Sequence, residues 1–101
     1  MESLILDEQE VINALCTYHA RQKNLIPEDV MIELAYDDHD GLEPEEFGAE
    51  ADVNGDITIY QKGDMIQAIR NWIDYEYNRD PYAALVKLQF ADDQGIFATI
   101  D

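Results

Sequence analysis

The dipeptide Asn54-Gly55 constrains this chain more than any other feature. Asn-Gly is the preferred centre of a two-residue type I′ hairpin turn, because both central positions need positive φ and these two residues tolerate it best. Alternating apolar residues flank it. Phe47, Ala49, Ala51 and Val53 share one face of the segment leading in, and Ile57 and Ile59 are expected inward on the short return, Asp56 to Tyr60. A hairpin of this kind commits the region to an antiparallel sheet with one face buried.

The remaining elements follow from periodicity. Asp7 with Glu10 three residues later has the capping-box spacing, Leu6 and Val11 take the two positions of a hydrophobic staple, and Val11, Ile12, Leu15, Tyr18 and His19 fall on one face at helical spacing. These predict a helix from Glu8 to Lys23, ended by Asn24 and by Pro27. Val30, Ile32, Leu34 and Tyr36 alternate along Asp29 to Asp37, a strand with one buried face. Met65, Ile66, Ile69, Trp72, Ile73 and Tyr77 form the stripe of a second helix, Lys62 to Asn78, before Asp80-Pro81. Ala84, Val86, Leu88 and Phe90 alternate, Asp92-Asp93-Gln94-Gly95 turns, and Ile96, Ala98 and Ile100 alternate back.

The order α-β-β-β-α-β-β predicts an α+β fold, one domain over residues 1–101. Two helices pack on one face of a mainly antiparallel sheet of about five strands. No internal repeat is apparent at the level of residues. The face turned away from the helices would carry Met31, Glu33, Tyr60, Leu85 and Phe97, more apolar than solvation requires, and these are the candidate partner-binding residues.

Charge sets limits on function. The chain carries 23 acidic against 6 basic residues, a formal net charge of -17 over 101 residues. That excess repels phosphate backbones and anionic lipid, so nucleic acid and membrane surfaces are excluded as unaided partners. A protein partner or self-association is expected, with a divalent cation as a further candidate. Nearly half the chain is apolar, so it is no disordered acidic tail. The one cysteine, Cys16, cannot form an intrachain disulfide, and the start of the chain lacks the basic and long apolar segments of a signal peptide, so a cytoplasmic location is the expectation.

Few residues suggest chemistry. Asp52, Asn54 and Asp56 have the spacing that opens a calcium loop, but position 6, normally glycine, is Ile57, and position 12, normally a carboxylate, is Gly63. The hairpin explains the same residues better. Asp37, Asp38, His39 and Asp40 open an acidic loop running to Glu46, whose oxygens suit hard divalent ions and whose histidine favours a transition metal. His19, and Glu76 on the second helix, would form a buried pair if the helices ran alongside each other. A histidine bonded locally is the plainer use. Ser3 is the only serine, no glycine-rich phosphate loop exists, and no catalytic residue or cofactor is implied.

The run Tyr36-Asp37-Asp38, the Asn54-Gly55 turn, the helix Met65-Ile66-Gln67-Ala68-Ile69 leading to Trp72, and Asp80-Pro81 ahead of the last hairpin resemble the YxcD-like family of Bacillus and relatives, a family of unknown function. The resemblance covers nearly the whole chain, implies a cytosolic bacterial protein of this size, and brings no catalytic residues. The leading functional reading is a non-enzymatic acidic module that binds protein through an open sheet face. One alternative is an inhibitor or immunity-type protein for a basic partner, where opposite charge speeds association. The other is a divalent-metal-dependent enzyme or metal-binding protein using the loop 37–46.

Overall fold

The computed structural model describes residues 3–37 and 46–101. Its elements are β1 (Leu4–Leu6), α1 (Glu8–Lys23), a 3-10 turn (Pro27–Asp29), β2 (Met31–Asp37), β3 (Glu46–Val53), β4 (Asp56–Gln61), α2 (Lys62–Tyr77), β5 (Val86–Ala91) and β6 (Gly95–Ile100). Both helices start and stop where local chemistry requires. The Asp7 carboxylate accepts from the Glu10 N–H at 2.9 Å, and Asp64 accepts from the Gln61 N–H at 3.0 Å. Asn24 and Asn78 end them in the left-handed conformation, φ 58° and 54°.

The α+β composition is as expected, but the strands form two sheets. One has the order β1-β6-β5, the other β2-β3-β4, and every pairing is antiparallel. The strand missing from the sequence reading is β1. Its three residues are too short to show a period, and Leu6, read as a helix staple, pairs with Ala98. Among the described residues no ladder joins the two sheets; they meet where Tyr36 of β2 stacks on Phe90 of β5, rings 4.2 Å apart and 10° from parallel. The helices touch each other and both sheets, and the buried side chains form one cluster that includes Leu6, Leu15, Met65, Ile69, Ile73 and Ile100.

A second correction concerns β4. Asn54 and Gly55 both have positive φ (54° and 90°), as the type I′ turn requires, and the two-residue connection sets Val53 opposite Asp56. Directly opposed residues share a face. Thr58 and Tyr60, facing Ala51 and Ala49, therefore point inward, while Ile57 and Ile59 are 53% and 62% exposed. Turn geometry overrides hydropathy here.

The topology also reveals a repeat that the residues conceal. The chain consists of two successive βαββ units, β1-α1-β2-β3 and β4-α2-β5-β6. Each position up to the end of the unit's second strand has its counterpart 54 residues on: Glu8 and Lys62 begin the helices, Lys23 and Tyr77 end them, and Asn24 and Asn78 cap them. Val11 and Met65, Ala14 and Ala68, and Leu15 and Ile69 are buried alike, and Ile5 and Ile59 are exposed alike. The first strand of each unit completes the sheet of the other. Leu6 lies opposite Ala98 as Tyr60 lies opposite Ala49, and Leu4 opposite Ile100 as Thr58 opposite Ala51. The two units are thus related by an approximate two-fold axis, with exchanged strands.

Candidate functional site

The residues expected on one open face lie on two. Met31 and Glu33 are exposed on the outer side of β2, Leu85 is exposed just before β5, and Phe97 is half-buried on β6. Tyr60 is not on any open face. It is 6% exposed on the helix side of β4, for the register reason above. The outer face of β2-β3-β4 gains Ile57 and Ile59 in its place, and the rows across that sheet read Met31–Asp52–Ile57 and Glu33–Glu50–Ile59. Met31 and Ile57 thus flank Asp52 in the first row, and in the second the carboxylates of Glu33 and Glu50 stand beside Ile59.

Asp38, His39 and Asp40 lie outside the described residues, with only Asp37 of that group placed, at the end of β2. Among the described residues no three His, Cys, Asp or Glu side chains converge as a metal site. Asp52, first residue of the calcium-like pattern, accepts from the Gly55 N–H at 2.8 Å and so belongs to the turn. Glu76 is exposed, and the charged groups that act on His19 are Lys23 and Asp56. That histidine, 2% exposed, instead places Nδ1 2.6 Å from the Tyr60 hydroxyl. Burial, then the nearby Lys23, lowers its pKa against an opposing pull from Asp56, and burial raises that of Tyr60. Both shifts favour neutral partners, so this pair is a structural tie between α1 and β4. Burial likewise raises the Cys16 thiol, whose Sγ lies 3.6 Å from the Val30 carbonyl, so it is no reactive thiolate.

The sequence reading passed over a cleft between the helices. Its volume is about 190 Å³. Ala14 and Ala68, both 1% exposed, lie at its base, Tyr18 and Trp72 wall it, and Thr17, Asn71, Gln22, Arg21 and Tyr75 edge it. Four pairs in that lining are 54 residues apart: Ala14 with Ala68, Thr17 with Asn71, Tyr18 with Trp72 and Arg21 with Tyr75. The cleft therefore sits on the approximate two-fold axis. Small residues at the paired alanines let the helices approach, and the large aromatics one turn on leave space between them. The Arg21 guanidinium lies 4.4 Å from the centre of the Tyr75 ring. Behind the wall, Glu10 accepts from the Trp72 indole N–H at 3.2 Å and from the Tyr77 hydroxyl at 2.6 Å. That hydrogen bond, with burial second, pushes the Tyr77 pKa up to about 12. The only sequence signal for this site was the spacing of alanine and aromatic residues, which helix packing alone also produces.

Fold and surface together define a small acidic α+β protein built from two strand-exchanged βαββ units. The chain belongs to the family described as protein of unknown function DUF2653, whose profile matches residues 1–93. It is 31% identical over 98 residues to the uncharacterized protein YxcD of Bacillus subtilis strain 168, an alignment covering 96% of this chain and 91% of that protein. No solved structure matches it. Among the described residues no helix is long and apolar enough to cross a membrane.

Proposed function

We propose that the chain is a protein-binding module whose contact surface is the outer face of β2-β3-β4 and whose partner is basic. One observation carries the reading: Met31, Ile57 and Ile59 are 73%, 53% and 62% exposed on neighbouring positions of a regular sheet, around the carboxylates of Glu33, Glu50 and Asp52. A rigid apolar surface supplies affinity on desolvation, and the carboxylates select and steer a cationic partner. The net charge of -17 extends that steering beyond the face itself.

The test begins with affinity capture from the source cell, followed by titration of the purified captured protein. A stoichiometric partner that survives moderate salt is expected to bind Ile57→Ser/Ile59→Ser at least tenfold more weakly, since two exposed apolar anchors are lost. Recovery only of assorted basic proteins, released together by salt, would count against the reading, as would a partner indifferent to the double substitution.

A further inference from the structure

We infer that the interhelical cleft is a binding site for a small aromatic carboxylate of one or two rings. Its size suits such a molecule: about 190 Å³ is somewhat larger than the roughly 150 Å³ cavity that holds benzene in a protein interior. The walls suit it as well. Tyr18 and Trp72 supply ring surface on opposite helices, and the Trp72 N–H is already engaged by Glu10, so the indole offers the cleft its ring rather than its donor. At the edge, Thr17, Asn71 and Gln22 supply polar groups able to orient a ligand.

Arg21 decides the sign of the ligand. Among the described residues it is the one charged side chain lining the cleft. Among the described residues its interaction is with the Tyr75 ring, and no carboxylate pairs with it, although the chain has 23 acidic residues and Asp74 lines the adjoining hollow. An arginine held against an aromatic ring keeps its outward N–H groups available, and its planar fork matches a carboxylate through two parallel hydrogen bonds. The acidic surface repels anions in general, but screening over roughly 8 Å at physiological ionic strength confines that penalty and leaves the contact with Arg21 to dominate at close range. The approximate symmetry adds a reason. Where the first unit has Arg21 the second has Tyr75, so the paired positions supply a cation and a ring instead of two like groups.

The experiment uses the single tryptophan as a reporter in ¹H–¹⁵N spectra of the full chain, with 2-naphthoate as probe and 2-naphthylmethylamine as its cationic counterpart. Saturable shifts of the Trp72 indole N–H and the Thr17 and Asn71 amides are expected with naphthoate, at least tenfold stronger than with the amine. Arg21→Gln, an exposed change that leaves the core intact, is expected to weaken naphthoate about tenfold by removing a charge-assisted contact, and to leave the amine no weaker. Asn71→Phe, at an exposed position on the rim, should block both by filling the cleft. Linear, unsaturated shifts, equal or tighter binding of the amine, or naphthoate binding unaffected by Arg21→Gln would each overturn the assignment.

Discussion

At the residue scale, the pair His19–Tyr60 shows how burial assigns chemistry. Two polar side chains that could have been catalytic neighbours are enclosed together at 2.6 Å, and each is pushed toward its neutral form. Tyr60→Phe is expected to cost about 1–3 kcal/mol in urea unfolding, because Nδ1 of His19 would then be buried without a partner. The pH dependence has a definite sign. His19 in the unfolded chain titrates near its ordinary value of about 6.5, and the folded value is lower. Below about pH 6.5 the unfolded chain therefore binds more protons than the native one, and stability falls as pH drops through that window. The urea midpoint should thus fall between pH 7.5 and 5.5 in the native chain and fall less in His19→Gln. An equal fall in both would assign the effect elsewhere.

At the element scale, β4 is the instructive strand. Ile57 and Ile59 are its most apolar residues, yet they face solvent, while Thr58 and Tyr60 face the helices. A two-residue turn transmits register without slack, so the inward parity of Ala49 and Ala51 dictates the inward parity of Tyr60 and Thr58. Ile59→Thr is accordingly expected to change stability by no more than about 0.5 kcal/mol, as at other surface positions. Tyr60→Ala should cost several kcal/mol, roughly the 3–5 of a large buried aromatic. Denaturant unfolding of the two variants decides the matter, and the reverse order would contradict the register.

At the scale of the whole molecule, strand exchange makes each unit incomplete. Without β1, the edge of β6 opens, and without β4, the edge of β3 opens. Fragments 1–54 and 55–101 are therefore each expected to lack a folded monomeric form and, on mixing, to assemble into a 1:1 complex with the spectrum of the intact chain. Size-exclusion chromatography with circular dichroism reads both outcomes. Either fragment folding alone as a cooperative monomer would refute the account. Ser3 and Asp101 lie together, the Ser3 hydroxyl donating to the Asp101 carboxylate at 2.7 Å. This contact stands beside the β6–β1 pairing much as the Asn54-Gly55 turn stands beside the β3–β4 pairing.

Local physics was legible in the residues alone. The caps at Asp7 and Asn24, the type I′ turn at Asn54-Gly55, the apolar parity of β2, β3 and β6 and the existence of both helices all rest on interactions within a few positions of the chain. The inward parity of β4 is local too, because the two-residue turn carries the parity of Ala49 and Ala51 across to Tyr60 and Thr58 against the hydropathy of the isoleucines. What only the tertiary structure decided is long-range pairing. The short strand Leu4–Leu6 has too few residues to declare itself until Ala98 and Ile100 lie opposite it, and the division into two sheets depends on which edges meet. The cleft, too, needs Tyr18 and Trp72 brought from opposite units to line one space. Contacts between residues 54 or more positions apart leave no periodic trace in one sequence, because the physics that creates them acts across space and not along the chain.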